Sequence, residues 1–455
     1  MKPSILLSAL LASGLPPAST SVRADIQAPA TRRPEAAPAS RPAPATPAPV
    51  AVTGTATANT DTEPAPTLNA ASLLEAEWLQ GPAHRVRAAA PTDGYMAHLT
   101  IDSEFGTFHC TGADQARQRV HEIAAISRLV SESKGDVFAE ALKKSLEQPV
   151  DAVKNIVRDP VGTVSQAPKA VGHFFRRIGS SVKAGAEQIA RNADSPENES
   201  SAPRASTGEK LAAAGRGVIG FDKAKLDCAR QLGVDPYSDN PVLQEQLEKV
   251  AWVYFAGGLP LRLGAAAASG GASLALTSTK LIGLPEEVYS LTPSELALRN
   301  RQSLATLDTP EAVQADFMAN HMLTPTLKRS LLQSLERLAP ATGRSALVDL
   351  AARCESIEQA QFLDRALRLL ADRQHTGQAR YTRVVSLGRV PAAVTAEDSL
   401  EVAAVIDHLS WTDEVADFAR RDDLRAARPS LSLSGQASER AIAGFKQAGW
   451  KLARP

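Results

Sequence analysis

Residues 221–258 read FDKAKLDCARQLGVDPYSDNPVLQEQLEKVAWVYFAGG, and the architecture of the chain turns on them. Gly233 ends one helical segment, because the residue after a helix usually takes the left-handed conformation that glycine tolerates. Asp235-Pro236 resists further helix, since a proline disfavours the α region in the residue before it. Asn240 is a good N-cap and Pro241 fits the first helical position, where no N–H is needed. Leu243, Leu247, Val250, Ala251 and Tyr254 then share one face at helical spacing. The expectation is a helix–turn–helix hairpin with an apolar seam. The run LGVDPYSDNP is distinctive enough to mark a family, yet no activity attaches to it.

Downstream, residues 259–283 are mostly Ala, Gly, Ser and Leu, with 17 uncharged residues between Arg262 and Lys280. That is short and weakly apolar for a membrane span, so it reads as a buried small-residue helix or a connector. Thr292-Pro293, Thr309-Pro310 and Thr324-Pro325 each read as N-cap plus first helical residue. They predict a helical array over 291–375. The last stretch, 376–455, predicts strands at 382–387, 392–395 and 400–406 and a helix from Ser410 to residue 418. A strand, the Gly435 turn, a helix capped by Ser438, the Gly449 stop and a final strand close the chain.

Upstream, Lys2, a short apolar core at 5–15 and Val22-Arg23-Ala24 predict a secretory signal over 1–24, cleaved after Ala24. Removing it deletes Lys2 and Arg23 and no acid, leaving the mature chain slightly acidic. Residues 25–70, rich in Pro, Ala and Thr, predict a disordered tether, because they have too little apolar surface to offset the entropy of ordering. A small α/β beginning opens 71–192, with strand character at 95–102 and 107–111 and a turn at Phe105-Gly106. Short amphipathic helices, broken at Pro160 and Pro168, follow it, with Val150, Val153, Val157, Val161, Val164, Pro168, Val171, Phe175, Ile178 and Val182 recurring at threes and fours. Within 160–191, Lys169, Arg176, Arg177, Lys183 and Arg191 face Glu187 alone, a pattern that suits either a solvated helix face or a membrane interface. Residues 193–209 read as a polar linker, and 210–290 as the hairpin with its small-residue segment.

The 455 residues carry 50 bases and 50 acids, a balance that argues against nucleic acid as a partner. Cys110, Cys228 and Cys354 would allow one disulfide in an oxidising compartment, but no CxxC or Cys/His cluster is present, and they read as small half-buried hydrophobes.

Four constellations were weighed for chemistry. His98, His109 and His121, with Glu122 beside the last, lie close in sequence, but HExxH is absent. Asp235, Ser238, Asp239 and Asn240 suggest calcium until their spacing is compared with D-x-D-x-D-G, which fails. Asp407 and His408, before Trp411, sit at a strand end, where ligands often bind in α/β domains. Finally, Ser180-Ser181-Val182-Lys183 with Ser238-Asp239-Asn240 resembles elements of serine penicillin-binding proteins and β-lactamases. The third element, K-T-G, is missing, Ala341-Thr342-Gly343 being its nearest echo, and S-x-x-K recurs at Ser131–Lys134. No catalytic role is carried over, and no cofactor or metal is assigned.

The expected fold is mainly α with a small α/β C-terminal domain, helical hairpins and a short N-terminal β-hairpin. The expected protein is periplasmic or secreted, non-catalytic, and engaged with a protein partner in the cell envelope. Two alternatives stay open: a periplasmic hydrolase with an unrecognised active site, and a peripheral membrane protein acting through 160–191.

Overall fold

A computed structural model describes residues 61–147, 220–259, 283–425 and 427–453. The signal at 1–24, most of the tether, the Val-rich stripe from residue 150 through 182, the basic stretch 160–191, the 193–209 linker and most of the small-residue segment lie outside them.

The described residues are 52% helix and 19% strand and form four sheets, which corrects the mainly α expectation to a mixed α/β fold. In place of a short N-terminal β-hairpin stands a four-stranded antiparallel sheet. Its strands are β2 (Gln80–Gly81), β3 (His84–Val86), β5 (His98–Ser103) and β6 (Gly106–Thr111), in the order β2-β3-β5-β6. β1 (Thr67–Asn69) and β4 (Ala89–Pro91) pair separately as an antiparallel ribbon. The sequence hides this sheet because several of its strands are two or three residues long, too short to show a period of two. Residues 67–69, at the end of the predicted tether, are thus strand.

Helix α1 (Ala113–Glu132) lies across this sheet and joins two cores. Ala116, Val120 and Ile123 pack with Leu99 and Ile101 of β5. One turn on, Ala125, Ile126 and Leu129 enter a helical core with α2 (Asp136–Glu147), α3 (220–232) and α4 (Pro241–Ala256). The seam residues Leu243, Leu247, Val250, Ala251 and Tyr254 of α4 are all at most 1% exposed. Gly233, at φ 67°, ends α3, and Val234 N–H donates back to Ala229 O at 3.0 Å to close the helix.

Among the described residues, a short helical turn at Glu287–Ser290 leads into five longer helices: α5 (Pro293–Thr306), α6 (Glu311–Ala319), α7 (Pro325–Arg337), α8 (Arg344–Ala352) and α9 (Ile357–His375). Thr292 closes a capping box with Glu295, and Thr324 accepts from Leu327 N–H. At the second pair, Thr309-Pro310, the N-cap is Pro310, not Thr309, and α6 begins at Glu311.

The C-terminal sheet has the order β13-β11-β9-β8-β7. β7 (Tyr381–Leu387), β8 (Val390–Thr395) and β9 (Leu400–Ala404) are antiparallel neighbours, whereas β9, β11 (Pro429–Leu433) and β13 (Lys451–Ala453) run parallel. A small parallel pair, β10 (His408–Leu409) with β12 (Gln436–Ala437), sits beyond it. Alternation along the strands divides the sheet between two cores. Ala393 and Ala403 face the α7–α9 side, and Ala392 and Val402 face the side of α10 (Asp413–Ala419) and α11 (Glu439–Gln447). Helix α10 begins after Thr412, which accepts from Val415 N–H, rather than at Ser410. Ser438 caps α11 by accepting from Ala441 N–H.

Candidate functional site

The site grows out of the loop between α3 and α4, whose four polar side chains diverge. Asp235 Oδ1 accepts from Tyr237 N–H at 2.8 Å and from the Thr326 hydroxyl at 2.5 Å. Ser238 Oγ donates to Glu122 Oε1 at 2.6 Å. Asp239 pairs with Arg119 at 3.0 Å. Asn240 does two things. Its Oδ1 accepts from Val242 and Leu243 N–H at 3.1 and 3.3 Å, capping α4, and its Nδ2 donates to Glu122 Oε2 at 2.9 Å.

Glu122, on α1, is the centre of this arrangement and is fully buried. Each of its carboxylate oxygens accepts two hydrogen bonds. Oε1 takes Ser238 and Gln118 Nε2 (3.0 Å); Oε2 takes Asn240 and Arg119 Nη1 (2.6 Å). Four donors fill the acceptor sites of an ionised carboxylate, so none stays open for a substrate. Burial pulls the Arg119 guanidinium down, but Glu122 and Asp239 outweigh it and hold it above its ordinary value. His121 Nε2 bonds Gly233 O at 3.0 Å from the same helix. The loop is thereby locked to α1 by groups 110 or more residues apart in sequence, and to α7 through Thr326.

This double role makes Asn240 more than a cap. Asn240→Ala is expected to lose about 2–3 kcal/mol, beyond the ~1 kcal/mol typical of a cap, because a bond to a charged group goes with it. Asn240→Ser keeps a capping oxygen but is too short to reach Glu122, so chemical denaturation should place it between the two.

Beside the lock, a cleft of about 470 Å³ opens between α1, the loop, α7, α9 and the ends of β9 and β11. A second hollow, sharing Asp114, Arg117 and Arg365 with it, surrounds Asp407. Asp407 Oδ1 accepts from Ala113 N–H (3.0 Å), the first residue of α1, and Oδ2 from Ala97 N–H (2.9 Å). Burial pushes the Asp407 carboxyl up, against these two bonds. Gly435 passes so close to the Ile406 and Asp407 carbonyls that a Cβ would sit 2.2–2.3 Å from them, which explains glycine at this turn.

The weighed constellations separate. His98 pairs with Asp93 at 3.6 Å on the exposed side of β5, His109 lies 3.4 Å from Thr100 Oγ1, and His121 is buried against Gly233. Among the described residues no group of three His, Cys, Asp or Glu side chains is arranged to hold a metal ion. The calcium set is committed elsewhere: Asp235 to Thr326, Asp239 to Arg119, and Ser238 and Asn240 both to Glu122. Ser238 serves Glu122, and Ser180 and Lys183 lie outside the described residues. The three cysteines are free, and burial pushes the Cys110 and Cys228 thiols up to about 12, which keeps them protonated and inert. No described helix is long and apolar enough to cross a membrane.

Sequence reasoning missed Arg119, Gln361 and Arg365 and saw Glu122 only as a neighbour of His121. The available signal was polar residues at 118, 119 and 122, interrupting an apolar helix at the spacing of one face. Comparison with protein-family models, curated proteins and solved structures finds no match to this chain.

Proposed function

We propose that the chain is an exported envelope protein that binds a partner at the polar cleft and does not transform it. The observation that carries this reading is the state of the acids around the cleft. Glu122 is filled by four donors, Asp407 takes one backbone N–H on each oxygen, Asp235 takes Thr326 and Tyr237 on Oδ1, and Asp114, Asp239, Asp364 and Asp372 each pair with an arginine. A general base must reach the proton it removes, and a nucleophile needs a base beside it. At the cleft the hydroxyls of Ser238 and Thr326 each sit against a carboxylate and are buried, Ser238 being bonded on both sides, to Glu122 and to Asn240 N–H. What the cleft does offer is shape and polar groups, the requirements of recognition. The predicted signal at 1–24 supports export, and N-terminal sequencing of exported protein is expected to begin at or near Asp25.

The test of binding uses a photo-crosslinking residue at Asp372 on the cleft rim, with Leu298, exposed on α5, as control. In intact cells the Asp372 position is expected to capture a discrete species that the Leu298 position does not, and purified protein should leave that species chemically unchanged. Equal capture at both positions contradicts the cleft as the binding site. Conversion of the captured species contradicts the non-catalytic reading.

A further inference from the structure

Helix α9 has two faces. Leu363, Leu367 and Leu370 enter the core, while Gln361, Arg365, Arg368 and Asp372, spaced by four, three and four, line the cleft. Three other withdrawn arginines each sit against a carboxylate. Arg119 has Glu122 at 2.6 Å, Arg329 has Glu336 at 2.7 Å, and Arg373 has Glu401 at 2.7 Å. Arg365 does not. Its side chain is 13% exposed, its nearest ion-pair partner is Asp114 at 3.9 Å, and its Nε has no hydrogen-bond partner among the described residues. A guanidinium cannot shed its charge in a protein, so withdrawing it from water without a bonded partner is costly.

We propose that Arg365, with the Gln361 amide one turn away, binds the carboxylate of a small ligand or of a peptide end in this cleft. The planar fork of an arginine matches a carboxylate through two parallel bonds. Gln361 Oε1 accepts from Gln115 Nε2 at 3.1 Å, which fixes the amide and leaves its NH₂ group as a further donor. The flanking acids select the charge of the ligand. Asp114 and Asp407 face the same hollow as Arg365, and Asp364 is its neighbour in the chain; they repel any anion there, a phosphate dianion about twice as strongly as a singly charged carboxylate. The position lies just past the carboxyl ends of the parallel strands β9 and β11, where Val405 and Ser434 join the lining.

This assignment rests on the cleft being a binding site, and its test is separate from the crosslinking above. The Arg365 Nε–H resonance of the full mature chain, assigned by its loss in Arg365→Gln, is titrated with N-acetylglycine, trialanine and inorganic phosphate. Saturable shifts with the two carboxylates, weaker with phosphate and absent in the variant, are expected. A larger response to trialanine identifies a peptide end, and equal responses identify a free carboxylate; either supports the proposal. A stronger response to phosphate overturns it. The second readout is stability. Because an unmatched charge is removed, Arg365→Gln and Arg365→Met are expected to melt about 2–4 °C higher than the parent. Lower melting with no response to any probe means that the charge is met within the chain, and the proposal falls while the crosslinking result stands on its own.

Discussion

Glu122→Ala is expected to destabilise the protein by about 3–5 kcal/mol, the usual loss when one partner of a buried ion pair is removed. The loss has several parts. Arg119 keeps Asp239 as its carboxylate partner, on Nη2, and the ring of Phe108. Ser238 and Asn240 lose a buried acceptor, and each stranded donor carries a desolvation cost, while half-buried Gln118 loses its acceptor at the cleft wall. Glu122→Gln should recover less than half. Both oxygens now accept two donors each, and an amide must turn its NH₂ group toward one of those pairs. The control is Glu286→Ala, an exposed partner of Arg230, which should cost at most ~0.5 kcal/mol. Urea unfolding followed by circular dichroism measures all three. A Glu122→Ala midpoint as mild as that of Glu286→Ala would show that the loop is not held by this carboxylate.

What could be read in the sequence was local. Gly233, Asn240, Pro241 and Ser438 work through backbone groups within a few residues of themselves, so their chemistry is written in their own neighbourhood. The seam of α4 was legible for the same reason, its period being that of one helix. The strands expected at 382–387, 392–395 and 400–406 are there as β7, β8 and β9, although β8 (VPAAVT) and β9 (LEVAA) carry alanine where both faces are buried against close-packed helices. The N-terminal sheet was less legible, β2 and β3 being only two and three residues long. The site was legible least of all. Asp407 was noticed beside His408, yet its partners are the N–H groups of Ala97 and Ala113, about 300 residues earlier. Glu122 and Ser238 are 116 residues apart, and neither residue carries a trace of the other. The polar stripe of α9 has the spacing of any solvated helix face, and only the packing of α1 and β9 beside it makes it a cleft wall.

The lock also makes stability depend on pH through Asp235. Burial pushes its carboxyl up to about 7 from an ordinary 3.8, although the Thr326 hydroxyl and the Tyr237 N–H favour the ionised form; Glu122 and Asp239 add repulsion. Between pH 4 and 7 the unfolded chain has released this proton and the folded chain still holds it. The folded state therefore binds more protons, and stability falls as pH rises through that window, with the loss complete above the folded pKa. Three pH units correspond to about 4 kcal/mol as an upper bound. Asp235→Asn removes the titration while keeping a carbonyl oxygen where Oδ1 accepts both of its bonds. The variant and the parent should be alike near pH 4, and the variant should lead by up to about 4 kcal/mol at pH 8. Since every other titrating group is common to both proteins, the difference between their urea midpoints at pH 4.5, 6 and 8 isolates this one. A variant that is less stable than the parent at pH 8 would mean that the fold depends on the charged form of Asp235.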